Sequence, residues 1–417
     1  MSDGGTVSLA GRLARCINSY GWRYAAARLA EEAGNVVQGL SAFRPGGRLS
    51  SCEESPRRHI VILAGIHWRF RFQRPQQLAM SFERAGCRVY YVSPGTAGAA
   101  TPGWRLQSGV NGQPARVCLY STGYGDLRAL WQKERLAAGA ALSLQLLCDK
   151  LRECGTPLSV LVQHPLWSGV ITRLKGVPCF YDCLDDFADF AGAPPGLSKA
   201  EQRLVEGCAG VVSSALPLHC RWKSSGRAQA IIRNGCDYER FAAARPLASL
   251  PSGGIIGYHG ALDDWFDVEI VRMLACALPE RTIVLVGGDR AGVGARLKGL
   301  ANVRLTGEVE YDRLPPYVAA FDVGLVPFEI RPLTQCTNPV KVYEYLAAGK
   351  PVVSSSLPEM EVFGDLVSLA RGVEWVGAVA RALEAPPDRE RLRAFAARQT
   401  WDERAGEFLD FIRRCGL

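Results

Sequence analysis

The chain has 417 residues, of which 48% are hydrophobic and 22% are charged. This composition is typical of globular proteins and excludes a wholly disordered, collagen-like or coiled-coil chain. The formal net charge of +8 is small for this length and the basic residues are spread along the sequence, which argues against a nucleic-acid-binding protein. At roughly 150 residues per domain, we expect two or three domains.

The 14 cysteines are spaced singly, without a Cys-x-x-Cys pair, and only five histidines accompany them. A zinc site needs short-spaced ligand pairs, so no metal site is expected. Scattered cysteines in strands are typical of small buried side chains in a reducing compartment. No apolar run reaches the length of a membrane span, and the N-terminus carries no export signal. These features predict a cytoplasmic protein.

The first fifty-odd residues differ from the rest of the chain. Apolar side chains recur there at helical spacing with arginines beside them, at Leu9, Leu13, Ile17, Tyr20 and Tyr24. The pattern predicts an amphipathic basic helix, followed by a polar linker up to residue 57. Two interpretations stay open: the helix packs on its own domain, or it lies on an anionic membrane as a peripheral contact.

Short buried strands then alternate with helices over residues 58–248. Strands are predicted at 59–64, 88–92, 158–162, 177–181 and 210–213, and a helix at about 75–85. Continuous apolar runs of this kind are typical of strands in a parallel sheet that is covered on both faces. The alternation predicts βαβ units and a Rossmann-like first domain.

A second set of strands begins after a Pro- and Gly-rich linker and occupies the domain predicted at 249–390. Its strands are predicted at 255–258, 282–286, 303–305, 323–326 and 351–354, with helices at about 267–278, 312–321 and 340–348. Open parallel sheets bind ligands beyond the carboxyl ends of their strands. The active cleft is therefore expected between the two halves.

The segment 334–353 carries the strongest chemical signal. It predicts a loop, a helix with Pro339 in its first turn, an end at Gly349 and a buried strand. A helix N-terminus with free N–H groups suits a diphosphate, and Lys341 adds a positive charge. Glu344 lies about one turn further along, where a carboxylate can accept hydrogen bonds from ribose hydroxyls. The alternative interpretation is a capped helix with a solvated glutamate.

This segment resembles the nucleotide-sugar signature of family 4 retaining glycosyltransferases of the GT-B fold, and its ending YEYLAAGKPVV is typical of the teichuronic-acid and exopolysaccharide branch. Further matching motifs follow in the family's order at residues 73–79, 181–186, 233–241, 257–261 and 321–328. The resemblance implies an α/β GT-B architecture with two Rossmann-like parallel-sheet domains facing across a cleft. It also implies that the C-terminal segment, residues 391–417, forms a helix that returns to the first domain.

The resemblance implies a retaining, metal-independent hexosyltransferase without a cofactor. Its donor would be a UDP- or GDP-sugar, and its acceptor a glycan or lipid-linked molecule of cell-surface polysaccharide or glycolipid synthesis. Two rivals are a nucleotide-sugar epimerase and a non-catalytic partner of a membrane or synthase complex. The glycine-rich stretch 287–294 lacks both the P-loop ending and the dinucleotide spacing, which excludes an ATP- or NAD-dependent enzyme at that position.

The resemblance also assigns residues to the site. Donor contacts are expected from Gly260, Arg290, Val309, Arg331, Cys336, Thr337, Asn338, Val340, Lys341 and Glu344. His164 follows a strand at the place where relatives have a histidine near the transferred sugar, and with Lys341 it forms the expected catalytic pair. The acceptor side is assigned to His67, Trp68, Arg69 and Asp185. Of Asp185 and Asp186, one is expected to cap the following helix.

The sequence departs from the family at two places. The family has a glutamate that touches the sugar where this chain has Cys336, so backbone groups at 336–338 are expected to reach the sugar instead. The family's basic pair after the first strand of the second domain is also absent, and residues 260–267 are acidic. We therefore expect the helix end, Lys341 and the two arginines Arg290 and Arg331 to meet the phosphate charge.

Overall fold

The structure is a computed structural model that describes residues 56–109, 112–251 and 253–417. The helix predicted near the N-terminus lies outside the described residues, so both of its interpretations stay predictions. In the described ranges the chain forms two sheets of mainly parallel strands, each covered by helices. No helix in these ranges is long and apolar enough to cross a membrane.

Within residues 56–251, apart from the undescribed 110 and 111, the first sheet contains nine strands. They are β1 (His59–Leu63), β2 (Arg88–Gly98), β3 (Trp104–Gln107), β4 (Ala115–Ser121), β5 (Gly125–Asp126), β6 (Leu158–Val162), β7 (Cys179–Cys183), β8 (Gly210–Ser213) and β9 (Ala228–Ile231). The strand order is β3-β4-β2-β1-β6-β7-β8-β9, with β5 beside β2. Of the strand pairs within the described residues, only β3–β4 and β2–β5 are antiparallel. Strand β7 begins two residues later than predicted, because Pro178 has no N–H group to donate to the sheet.

Among the residues that the structure describes, six α-helices accompany this sheet. They are α1 (Arg74–Arg84), α2 (Leu127–Gln132), α3 (Glu134–Arg152), α4 (Ser168–Ile171), α5 (Leu197–Gly207) and α6 (Leu216–Arg221). Helix α1 begins where it was predicted, with Pro75 in its first turn. The Gln73 N–H donates to Gln76 Oε1 at 3.1 Å, which satisfies one of the free donors at the helix start.

The second sheet has six parallel strands in the order β12-β11-β10-β13-β14-β15. They are β10 (Ile255–His259), β11 (Thr282–Val286), β12 (Val303–Gly307), β13 (Val323–Val326), β14 (Val352–Ser355) and β15 (Val367–Ala370). This is the strand order of a doubly wound nucleotide-binding domain. The direction of winding reverses between β10 and β13, and the ends of these two strands therefore flank the crevice of this domain.

From residue 238 onward, the described part of the chain forms nine α-helices. They are α7 (Tyr238–Ala242), α8 (Val268–Ala277), α9 (Val293–Arg296), α10 (Pro315–Ala320), α11 (Pro332–Gln335), α12 (Val340–Ala347), α13 (Glu374–Glu384), α14 (Arg389–Ala396) and α15 (Trp401–Arg414). The helix predicted at 312–321 is split into a short 3-10 turn and α10, because the chain has prolines at 315 and 316. Gly349 follows α12 with φ 69°, as its predicted place at the helix end requires.

The C-terminal helix α15 returns to the first domain, as expected. Its Phe408 ring lies 6.0 Å from that of Phe82 on α1, and its Phe411 ring lies 6.0 Å from that of Phe180 on β7. These aromatic residues are buried with the inner faces of β1 and β2 in one cluster. The helix therefore completes the core of the first domain, and the second domain has a core of its own.

Candidate functional site

Each sheet places a glycine at its crevice, next to a predicted site residue. Gly65 follows β1, and a Cβ atom there would lie 3.0 Å from His164 Cδ2. Gly260 follows β10 with φ 128°, and a Cβ atom there would lie 3.2 Å from Lys341 Nζ. In both loops the missing side chain lets the backbone approach the neighbouring functional group. The two predicted catalytic residues thus lie beside the loops that follow the first strand of each domain.

Lys341 is enclosed by aromatic rings on the first turn of α12. Its Nζ lies 4.4 Å from the Phe328 ring centroid and 4.7 Å from that of Tyr258, and 3.5 Å from the Tyr258 hydroxyl. Burial lowers the pKa of Lys341 to about 7, against the opposing charge of Glu344. An anion bound at the start of this helix would favour the protonated amine. Lys341 is therefore protonated most readily when an anion is bound at the start of α12.

Glu344 is buried on the same helix and is 2% exposed. Its Oε2 lies 3.1 Å from His259 Nε2, although the two groups are not aligned as a hydrogen bond. The alternative of a solvated glutamate is therefore wrong, because this carboxylate is enclosed at the end of β10. A buried carboxylate next to a single imidazole retains capacity to accept further hydrogen bonds.

The contacts of His164 leave its Nε2 atom as a hydrogen-bond donor. Its Nδ1 accepts from the Leu166 N–H at 3.1 Å, and its ring lies 4.4 Å from that of Phe187. Burial lowers the pKa of His164 to about 4. The neutral ring then carries its proton on Nε2, since Nδ1 is the acceptor. This arrangement suits a donor to a ligand oxygen rather than a general base.

The segment before α12 makes most of its contacts with the first domain or with itself. Cys336 is buried with side chains of the first-domain core, and Arg221 Nη2 lies 4.0 Å from its Sγ. Thr337 Oγ1 donates to the Leu333 carbonyl at 2.9 Å. Val340 packs against the cluster that contains α15. The segment 336–340, which we call the donor loop and which ends on the first residue of α12, is thus held by the first domain as well as by its own neighbours in the chain.

The acidic loop 260–267 pairs with the two arginines that were expected to meet phosphate. Arg290 Nη1 lies 3.4 Å from Asp263 Oδ2, and Arg331 Nη2 lies 2.8 Å from Asp264 Oδ1. Both arginines are therefore already close to carboxylates, and Lys341 with the start of α12 is the better placed partner for a diphosphate. Val309 is half-buried against the second-domain core.

The predicted acceptor-side residues occupy different environments. Trp68 is buried, with its ring 5.0 Å from that of Tyr91 and 5.9 Å from that of Phe72, so its side chain supports the loop rather than lining the cleft. Arg69 is exposed. The His67 carbonyl accepts from Gln76 Nε2 at 3.3 Å, which ties this loop to α1.

Asp185 is half-buried after β7, and its pKa is raised to about 7. Burial is the main cause, Arg74 opposes it, and the charges of Asp186 and Asp182 add to it. Asp186 pairs with Arg221, whose Nη1 donates to Oδ1 at 3.0 Å. The expectation that one of the two aspartates caps a helix is wrong, because α5 begins at Leu197 with Gly196 before it.

Contacts across the cleft bring in residues that the sequence did not single out. Arg71 Nε and Nη2 donate to the Glu308 carboxylate at 2.8 and 2.6 Å. Asp189 Oδ2 accepts from the Leu333 N–H at 2.8 Å, and the Phe190 ring lies 6.2 Å from that of Trp265. Each pair joins residues far apart in the chain, so no local pattern could have found them.

Comparisons with known proteins agree with this arrangement. Residues 254–385 match the family model described as Glycosyl transferases group 1. The candidate teichuronic acid biosynthesis glycosyltransferase TuaH of Bacillus subtilis (strain 168) is 30% identical over 199 residues, covering 43% of this chain and 50% of that protein. The match thus spans half the length of this relative.

Two solved structures illustrate the likeness of fold. Sucrose-phosphate synthase from Thermosynechococcus elongatus is 17% identical with a TM-score of 0.66, covering 86% of this chain and 99% of that one. Anabaena Alr3699/HepE in complex with UDP is 13% identical with a TM-score of 0.58, covering 86% of this chain and 100% of that one. At these identities the structures show the fold alone. Together with the family match, they confirm the GT-B fold and the resemblance to glycosyltransferases that the motifs indicated.

Proposed function

We propose that this protein is a glycosyltransferase that moves a sugar from a nucleoside-diphosphate sugar to a hydroxyl group of a polysaccharide or glycolipid acceptor. The observation that carries the proposal is Lys341, which lies at the start of α12 beside Gly260, at the crevice of the second domain. Support comes from the matched family region, which includes both residues. Structural neighbours bound to UDP and to ADP with acarbose support a nucleotide-linked donor.

The mechanism we infer is retaining and needs no metal ion from the protein. The bond between the anomeric carbon and the diphosphate oxygen breaks, while the acceptor hydroxyl forms a new bond on the same face of the sugar. Its proton passes to the departing phosphate oxygen. Lys341 and the N–H groups at the start of α12 stabilise the charge that develops on the diphosphate. His164 Nε2 donates a hydrogen bond to the sugar, and Glu344 accepts hydrogen bonds from the ribose.

The first experiment identifies the donor by thermal shift with a panel of UDP- and GDP-sugars. A ligand that binds the folded state stabilises it by RT ln(1 + [L]/Kd), so the correct donor raises Tm. Each stabilising donor is then incubated with glycan and lipid-linked acceptors, and the product is analysed for its anomeric configuration. Transfer with inversion would contradict the retaining mechanism.

Two further outcomes separate the rival functions. An epimerase would interconvert free sugar nucleotides without any acceptor. A non-catalytic partner would release no nucleotide with any donor. The variant Lys341→Met tests the role of the positive charge, because methionine keeps most of the side-chain volume but lacks the charge. We expect this variant to remain folded and to lose transfer.

A further inference from the structure

A buried pair of asparagines joins the donor loop to residues 232–237, which follow β9, lead into the second domain and are called the interdomain linker here. The Asn234 N–H donates to Asn338 Oδ1 at 3.0 Å, and Asn234 Nδ2 donates to the Asn338 carbonyl at 2.6 Å. Asn338 is 2% exposed and Asn234 is 8% exposed. Buried polar groups that find partners inside the protein fix the relative position of the segments they join. Here the linker holds the residue that directly precedes Pro339 and α12.

The first domain anchors Asn234 through Arg74 on α1. Arg74 Nη1 donates to Asn234 Oδ1 at 3.1 Å and to the Arg233 carbonyl at 3.0 Å. Arg74 Nη2 donates to Asp182 Oδ1 at 2.8 Å, and the two groups form a fully enclosed ion pair. Gln163 Nε2 donates to the other oxygen of Asp182 at 3.0 Å. The Arg74 guanidinium thus bonds to Asp182 of the first domain on one side and to the linker on the other.

The second domain completes the network on the far side of Asn338. Asn338 Nδ2 donates to Glu359 Oε2 at 3.0 Å, and the Tyr343 hydroxyl donates to Asn338 Oδ1 at 3.1 Å. Glu359 in turn accepts from Arg233 Nε at 2.9 Å and from the Leu216 N–H at 2.6 Å. The Asn338 side chain is therefore engaged within the protein and is not available to a sugar. Its role in donor binding must be indirect.

We propose that Asn234, held by Arg74, is a positioning residue that sets the geometry of the donor loop for sugar transfer. This inference rests on the proposed function. With Cys336 in place of the family's glutamate, the loop can offer the sugar mainly backbone groups. Such groups must be held within about 0.5 Å of the productive geometry to act. The network supplies that constraint from the first domain, so the donor site of the second domain is complete only when the two domains are docked.

The test is Asn234→Asp in the full chain. Aspartate keeps an acceptor for Arg74 but loses the side-chain donor to the Asn338 carbonyl, so it removes one of the two hydrogen bonds to the donor loop and keeps the backbone one. We expect kcat to fall about 5- to 150-fold, the range for one lost buried hydrogen bond. We expect the Kd for the nucleoside diphosphate alone to change less than about threefold, because the loop acts on the sugar. Asn234→Ala serves as an uncharged second variant.

The matched control is Arg84→Gln. It lies on the same helix as Arg74 and removes an exposed ion pair to Asp402 outside the network. Its kcat should equal that of the wild type. Two results would overturn the proposal. In the first, kcat falls in Asn234→Asp but nucleotide binding weakens by the same factor. In the second, kcat falls in neither Asn234 variant.

A second measurement keeps this proposal separate from the proposed function. Hydrogen exchange of the Cys336 and Thr337 amides of the donor loop, which donate to the Pro332 and Thr334 carbonyls, should be faster in both Asn234 variants than in the wild type and in Arg84→Gln. This result supports the positioning role even if no donor gives transfer, in which case the proposed function alone fails. Unchanged exchange in this segment overturns the positioning role whatever the activity.

Discussion

At the scale of single residues, Lys341 links donor binding to protonation. Its pKa is lowered to about 7 in the free protein, whereas in an unfolded chain it is 10.5. A bound diphosphate favours the charged amine, so complex formation takes up a proton wherever free Lys341 is neutral. The affinity contributed by this residue is fully present below pH 7 and is lost as the pH rises above it.

The pH dependence of nucleotide binding tests this account. We expect the Kd for UDP or GDP to increase above pH 7, by at most about tenfold per pH unit for one linked proton. In Lys341→Arg the guanidinium does not titrate, so the slope should disappear. Isothermal titration from pH 7 to 9 measures both. A slope of equal size in the arginine variant would assign the proton to another group.

Glu344 gives a second prediction at this scale. In Glu344→Gln the shape is kept but the charged acceptor is lost, and hydrogen bonds to charged groups contribute about 1.5–3 kcal/mol. We expect the Kd for the nucleoside diphosphate to rise about 10- to 150-fold, with the thermal unfolding curve retained. Glu361→Gln, on an exposed site, is the control. Unchanged affinity in Glu344→Gln would remove the ribose contact from the mechanism.

At the scale of elements, the loop after β10 depends on the absence of a side chain. A Cβ at Gly260 would lie 3.2 Å from both Lys341 Nζ and the Tyr258 hydroxyl, and its φ is 128°. We expect Gly260→Ala to cost about 1–3 kcal/mol of backbone strain and to weaken nucleotide binding by displacing Lys341. Melting curves and titrations check both effects. The control is Gly406→Ala on α15, where a Cβ atom would meet nothing within 4 Å. It should leave the melting temperature and the nucleotide affinity unreduced, and losses as large as those of Gly260→Ala would contradict the local explanation.

The elements that could be predicted from the sequence are those whose pattern is local. The continuous apolar runs of β1 and β11 identified buried parallel strands, and Gly349 identified the end of α12. The pair β3 and β4 was missed, because β3 is a short antiparallel edge strand with half-buried residues and no continuous apolar run. The expectation that Asp185 or Asp186 caps a helix was wrong, and the partner of Asp186, Arg221, lies 35 residues later, where no local pattern points to it.

The residues of the candidate site also differ in whether the sequence could predict them. Lys341 and Glu344 were predictable, since both belong to one helix with a recognisable motif. The Asn234–Asn338 pair spans 104 positions, and the Arg71–Glu308 pair spans 237. Such pairs exist only after the two domains dock. Neither periodicity nor residue type indicates which partner an arginine or asparagine will find across a cleft.

At the scale of the whole molecule, the ion pair that joins the two domains contributes less to stability than an ion pair inside the first domain. Arg71 and Glu308 are partly exposed, whereas Arg74 and Asp182 are enclosed. We expect Arg71→Gln to lower the free energy of unfolding by less than about 1 kcal/mol. We expect Arg74→Met to lower it by about 3–5 kcal/mol, because Asp182 is left buried without its partner. Urea unfolding measures both, and equal effects would contradict this ranking.

The return of the C-terminal helix to the first domain has a consequence for how the protein can be divided. The Cys236 N–H donates to the Gln399 carbonyl at 3.0 Å, and the Trp401 N–H donates to the Cys236 carbonyl at 3.3 Å. The chain therefore enters and leaves the second domain through two adjacent, hydrogen-bonded segments, and the second domain is topologically an insertion within the first. Ending the protein near residue 390 would remove Trp401, Phe408 and Phe411 from the core of the first domain. The second domain, whose two ends lie side by side, is the part that could be excised and its ends rejoined.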